Sequence, residues 1–429
     1  MVIIKLSKEI ENKHENYFKD KILPKLIDSK LKKHNYKVKK EEAHRIHMDV
    51  NILHKVFRTQ HNGFIDFIEN NYIDFAIGKP KTLKDLHEQI KKSFPIIYEM
   101  LKESSSSEKE DSYNNYLYNL FGYEKFKVKD LYYYVKKMAE EATGKDRYCK
   151  EVREKIVEIL KSNYPKLKHE INNRLMINQR KLSADEFAEE FKKLTDINIT
   201  MDNFNEIDIF GTEWSDYAFV MESGLRVCPY CNRQYITPVF SDSGKMRADL
   251  DHFLPKSRYP YFSMSLYNLI PVCKSCNQSL KGSKESGFND INPYEDNLDD
   301  YFTFKADVFT SEISIEKVKG KTKDISLHTD KFKIEPLYNY HRNQVDELIR
   351  KRIAYPDKYI KKLFDDNRDY FKDENEIKQL LIGYIHDKSK LNDEAFLKLR
   401  RDIAEQLGFI NGKQDDMLIE QLKKIITKI

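Results

Sequence analysis

Two cysteine pairs separated by 41 residues, Cys228-Pro-Tyr-Cys231 and Cys273-Lys-Ser-Cys276, constrain this 429-residue chain more than any other feature. Each Cys-x-x-Cys turn brings two sulfurs to one point, and two such turns together supply the four thiolates of a tetrahedral zinc site. A redox dithiol needs only one pair and explains half of the pattern, and a reducing cytosol would not maintain disulfides. Four cysteines leave no coordination position for water or substrate. The Zn2+ is therefore expected to be structural, clamping the two ends of the segment between the pairs. The fifth cysteine, Cys149, stands alone in Arg-Tyr-Cys-Lys and reads as a partly buried structural thiol.

At about 150 residues per domain, the length predicts two or three units. Hydrophobic residues at 40%, with only 13 Gly and 12 Pro, allow a buried core and favour helices. The expected fold class is α+β, mainly helical. Residues 1–203 form a helical N-terminal region, with Phe18, Ile22, Leu23, Leu26 and Leu31 at helical spacing. Residues 204–294 form a compact mixed module around the cysteines, and 295–429 run from short strands into helices. Tyr301-Phe-Thr-Phe and Glu312 to Val318 alternate as strands do, and Phe396, Leu399, Ile403 and Leu407 return to helical spacing. The polar tract Glu103–Asp111 has nothing to bury and is expected to be an exposed loop. The start, Met1-Val-Ile-Ile-Lys-Leu, runs straight into charged residues. With no apolar stretch long enough for a signal peptide or membrane span, an intracellular, cytoplasmic protein with no membrane partner is expected.

Seventy-five basic against 70 acidic residues give a net charge of +5, too dilute over this length to indicate a nucleic-acid partner. Distribution says more. Between Arg226 and Lys284, nine basic residues face three acidic ones.

Between the cysteine pairs run Asp251-His252-Phe-Leu-Pro255-Lys256-Ser257 and Tyr267-Asn268-Leu-Ile-Pro. The second pair leads into Cys276-Asn277-Gln-Ser-Leu-Lys281-Gly-Ser-Lys284. Asn268 follows His252 by 16 residues and Asn277 comes nine further on. This pattern resembles the HNH, or ββα-metal, endonucleases, in which an Asp-His pair ends a strand, an Asn sits in the following loop, and a third His or Asn lies on the next helix. The resemblance makes Asp251-His252, Asn268 and Asn277 an H-N-N variant, and it implies a central ββα-metal module with structural zinc between helical regions. Phosphodiester hydrolysis needs a base for water and a cation for the charge on phosphorus and the departing oxygen. His252 suits the base, because the unperturbed pKa of an imidazole is close to neutrality. Asp251 and Asn277 offer the hard oxygens that Mg2+ or Mn2+ prefers. By resemblance, Asn268 would hydrogen-bond the loop carrying His252 and orient it. Lys256, Arg258, Lys281 and Lys284 are candidate phosphate contacts.

The resemblance covers Cys228 to Lys284, about an eighth of the chain, and the family's Cys-Asn-x-x-Lys spacing is here one residue longer. Asn292-Pro-Tyr294, Leu337-Tyr-Asn-Tyr-His341 and Lys398-Leu-Arg-Arg-Asp402 are similar to flanking elements of larger bacterial HNH proteins. Some of those resemble the nuclease halves of Septu-type and retron-type anti-phage systems, which implies an ATPase partner that controls cutting. Nucleic acid is the expected substrate, DNA ahead of RNA. Two other readings stand beside it: a non-catalytic zinc-knuckle adaptor that binds nucleic acid, and an RNase using the same residues, since the chemistry acts on phosphate and has no required use for a 2′-hydroxyl.

Overall fold

A computed structural model describes residues 3–31, 36–102, 112–127, 131–145, 147–176, 182–197, 199, 214–241, 244–282, 284–383 and 390–410, with 421 and 424. The Glu103–Asp111 tract and the 203/204 boundary lie outside them. The described chain is α+β and mainly helical, with three two-stranded antiparallel sheets: β1 (Val239–Ser241) with β2 (Gly244–Met246), β3 (Asp249–His252) with β4 (Leu269–Val272), and β5 (Phe302–Ala306) with β6 (Ile313–Lys317). Among the described residues no helix is long and apolar enough to cross a membrane.

Contacts group the chain into two compact units that run across the three consecutive stretches read from the sequence. The smaller comprises Glu124–Phe219 and Pro238–Met246. Its helices Leu131–Thr143, Lys150–Asn163, Lys168–Leu175 and Ala184–Lys192 bury Val135, Ile156, Leu160, Ile171 and Phe187 in a core of their own. Cys149 is partly buried against that core, as are Tyr132 and Tyr134.

The larger unit, Met1–Tyr123, Val220–Thr237 and Arg247–Ile429, contains both cysteine pairs and the segment from Asp249 to Lys284. Phe18, Ile22 and Leu26 are buried at helical spacing, and the helix Leu23–Leu31 packs on the Val50–Asn70 helix, which buries Leu53, Phe57 and Phe64. That spacing places all three on one face, so they bury together. In the same unit, β5 of the β5–β6 hairpin meets the helix Leu397–Gln406. There Asp402 accepts from the Phe304 amide, and Gln406 exchanges two hydrogen bonds with the Ala306 backbone, so side chains complete the strand's edge. Buried Lys398 bridges Asp299 and Asp402 at 2.8 and 2.9 Å, and Arg401 forks onto Asp299. Four charges out of water are tolerable because each is paired and hydrogen-bonded.

Candidate active site

The chain from Asp249 to Lys281 forms a hairpin and a helical turn. β3 and β4 pair antiparallel, with Asp251 opposite Ile270 and His252 opposite Leu269. β4, Leu-Ile-Pro-Val, is buried along its whole length, whereas β3 buries Leu250 and Asp251 and leaves Asp249 and His252 partly exposed. Pro271, which has no amide hydrogen to donate, is accommodated because this is a two-stranded sheet in which every strand is an edge.

The connection from Phe253 to Ser265 is held at its base by Asn268. That side chain is 1% exposed. Its Oδ1 accepts from the Leu254 amide at 2.7 Å, and its Nδ2 donates to the carbonyls of Leu254 and Phe262 at 3.1 and 2.9 Å. His252, just before the connection, has its Nε2 3.0 Å from the Ser263 carbonyl. A carbonyl only accepts, so in this contact Nε2 is the donor. The Tyr123 ring meets the imidazole nearly edge-on, with centroids 4.4 Å apart.

Helices from the N-terminal third brace the same connection. His14 lies 2.8 Å from the Met264 carbonyl, Tyr267 donates to Glu11 at 2.6 Å, Asn114 donates to the Ser257 carbonyl at 2.6 Å, and His87 meets the Tyr261 hydroxyl at 2.8 Å. None of these bracing residues is marked by a motif in the sequence, because their partners lie more than 140 positions away.

Asp251 is 5% exposed and engaged on both oxygens. The Lys281 ammonium donates to both at 2.6 Å and to the His252 carbonyl at 2.9 Å. The Tyr230 hydroxyl donates to Oδ2 at 2.6 Å. Asn277 is brought not to Asp251 but to Asp249, whose Oδ2 accepts from Asn277 at 3.1 Å and from Gln278 at 2.9 Å. Asp249 lies two residues before Asp251 on the same strand face, a relationship visible in the sequence as Asp-x-Asp.

The residues after the second cysteine pair wind as a π-helical turn, Ser275–Lys281, with the Gly282 amide bonded to the Asn277 carbonyl. Its i→i+5 pattern absorbs the extra residue in Cys276-Asn277-Gln-Ser-Leu-Lys281. The wider turn points Lys281 inward, away from the solvent that a phosphate contact needs. Burial lowers its pKa while Asp251 opposes that shift. Lys256, Arg258 and Lys284 remain on the exposed surface, where the Lys256 ammonium sits 4.4 Å above the Tyr118 ring and Arg258 reaches Glu285.

The sulfurs of Cys228, Cys231, Cys273 and Cys276 lie within 4.8 Å of one another, all buried and none in a disulfide. Zn–S bonds of about 2.3 Å imply sulfur separations of about 3.8 Å in a tetrahedron. The Cys231 and Cys273 sulfurs are 4.0 Å apart, so donor type, number and spacing fit a zinc ion. Burial pushes the Cys228 thiol well up, and a metal that binds here must displace its proton. The cluster is held from outside by Tyr338, which donates to the Cys231 carbonyl at 2.7 Å. Asn232, in left-handed conformation, accepts from the backbone amides of Phe396 and Lys398. Tyr294 donates to the Leu269 carbonyl on β4 at 2.6 Å.

The chain is similar to Septu protein PtuB of Bacillus thuringiensis. The two are 28% identical over 142 residues, 33% of this chain and 46% of that protein. It is also 34% identical over 83 residues to protein ea31 of Escherichia phage lambda, 19% of this chain and 25% of that protein. The matches thus span less than half the length of either relative. No family model and no solved structure matches the chain.

Among the residues not anticipated from sequence, Tyr230 and Asp249 touch the candidate site directly. Tyr230 carries a weak signal, an aromatic between two metal-type cysteines where a turn favours small or polar residues.

Proposed function

We propose that this protein is a metal-dependent endonuclease of HNH type that hydrolyses nucleic-acid phosphodiester bonds, DNA ahead of RNA, as an effector of anti-phage defence. The observation that supports this reading is the grouping on and beside one hairpin of His252, bonded through Nε2 to the Ser263 carbonyl, of Asn268, which clamps the connection that follows it, of Asp251, and of Asn277, which meets Asp249 on the same strand. None of these is required for four cysteines to hold zinc.

In this reading His252 accepts a proton at Nδ1 from the attacking water, and the Ser263 carbonyl and Tyr123 ring hold the imidazole in place. Asn268 fixes where the chain leaves β3 and so keeps His252 aimed. Asp251 and Asn277 would hold a divalent cation, with Asp249 as a third oxygen donor, and Lys281 would give up at least one Asp251 oxygen to it. When bound, Mg2+ or Mn2+ supplies charge neutralisation at the phosphoryl and leaving oxygens. Lys256, Arg258 and Lys284 would meet backbone phosphates. The similarity to a Septu protein supports the defence role, and an ATPase partner that governs when cutting occurs follows from the family resemblance alone.

The test is incubation of supercoiled plasmid, and separately of single-stranded RNA, with purified protein in Mg2+ or Mn2+ beside His252→Ala. Nicking or linearisation by wild type alone supports the reading, and RNA cleavage alone moves the substrate to RNA. Equal cutting by both proteins overturns the role of His252. Tight nucleic-acid binding without cutting, also in the presence of the ATPase partner, would establish the adaptor instead.

A further inference from the structure

Tyr230 sits between two of the cysteines, yet its side chain takes no part in that cluster. The ring is 1% exposed and stacks on Phe332, with centroids 4.4 Å apart and planes inclined at 23°. His328, on the helix Ile325–Lys331, holds the Tyr230 carbonyl through Nε2 at 2.9 Å. These contacts fix the backbone and the ring, and the hydroxyl then reaches Asp251 Oδ2 at 2.6 Å.

We infer that Tyr230 is a positioning residue through which the four-cysteine cluster sets the orientation of the Asp251 carboxylate. The inference rests on the proposed role of Asp251. Lys281 alone contacts both carboxylate oxygens symmetrically, which leaves the carboxylate plane free to pivot about the ammonium. A second donor on Oδ2 alone breaks that symmetry and selects one orientation. The hydroxyl is the one part of the tyrosine with no use in folding the knuckle, because phenylalanine would fill the same space and keep the stack on Phe332. The cluster anchors the residue at both ends, since Cys228 and Cys231 flank it two positions before and one after. Loss of metal from the cysteines would therefore reach Asp251 through the Tyr230 hydroxyl, alongside the route through Lys281, five positions after Cys276.

The variant that isolates the hydroxyl is Tyr230→Phe, and three measurements read it. Zinc content by metal analysis is expected to stay at the wild-type stoichiometry. Amide hydrogen exchange of the peptide spanning Asp249–His252 is expected to speed up by about tenfold, as loss of a hydrogen bond to a charged acceptor allows. In cleavage assays kcat should fall by about tenfold to a hundredfold, the substrate KM should stay unchanged, and the Mn2+ concentration for half-maximal rate should rise. Exchange and kcat both within twofold of wild type would overturn the inference. So would a loss of zinc in Tyr230→Phe, because the hydroxyl would then serve the knuckle itself. The exchange measurement needs no substrate. A protein that proves not to cut removes the proposed function, and exchange still decides whether Tyr230 positions Asp251.

Discussion

The Lys281 ammonium lies 2.6 Å from both carboxylate oxygens of Asp251, and both side chains are 6% exposed. Such a pair is costly to break from one side, because the partner left behind is a buried charge without compensation. Lys281→Met should lower stability by about 3 kcal/mol. The double variant Lys281→Met with Asp251→Asn should recover part of that loss. Chemical denaturation of the single and double variants measures both, and equal stability of wild type and Lys281→Met would show that the pair contributes nothing.

The same geometry separates the basic residues by role. On an exposed surface Lys256 and Lys284 can neutralise phosphates, so alanine at either should reduce the slope of log affinity against log salt by roughly one. Lys281→Met should leave that slope unchanged. Fluorescence anisotropy with a labelled duplex across a salt series reads the difference.

Asn268 satisfies three backbone groups of the connection that follows His252. Removing it strands the Leu254 amide and two carbonyls, each costing about 1–3 kcal/mol when buried without a partner. Asn268→Ala should therefore destabilise by about 3 kcal/mol or more, on the order of the individual penalties combined. Cleavage should fall further than nucleic-acid affinity does. Thermal unfolding together with binding and cleavage assays tests this, and unchanged cleavage in a folded Asn268→Ala would remove the aiming role.

Four buried thiols predict one tightly held zinc per chain. Cys276→Ser should lose it and unfold the segment between the cysteine pairs. Because zinc is held by thiolates and not by thiols, its binding should release protons and weaken as pH falls. Metal analysis after dialysis at stepped pH follows the loss.

His14 supports the loop that carries Ser263 and Met264, and burial pushes its pKa down to about 4. Its folded value lies below the usual 6.5, so the unfolded chain takes up the proton first on acidification. The stability it contributes is complete above pH 6.5 and is lost as pH falls from there towards 4, on the order of 3 kcal/mol between the limits. His14→Gln should make that stretch of the stability profile shallower, the share of His328, also pushed down to about 4 by burial, remaining, as measured by denaturant unfolding at pH 7 and pH 5.

Local pattern determines a definite share of this protein. The paired cysteines are explicit in the sequence because metal-type turns need fixed, short spacing, and the structure brings their four sulfurs together. Phe18, Ile22 and Leu26, like Leu399, Ile403 and Leu407, display their helical faces through a period that the backbone imposes. β5 and β6 follow from alternation in the same way. Tertiary structure decided what depends on side chains meeting across long separations. It turned Lys281 inward onto Asp251, set Asn277 against Asp249, aimed Tyr230 from the cysteine cluster, and braced the connection after His252 with His14, Glu11, His87 and Asn114. A sequence states which groups are available and how they recur along one element. Which donor reaches a buried carboxylate is settled only when distant elements exclude water together, because the cost of an unpaired buried charge then selects the partner.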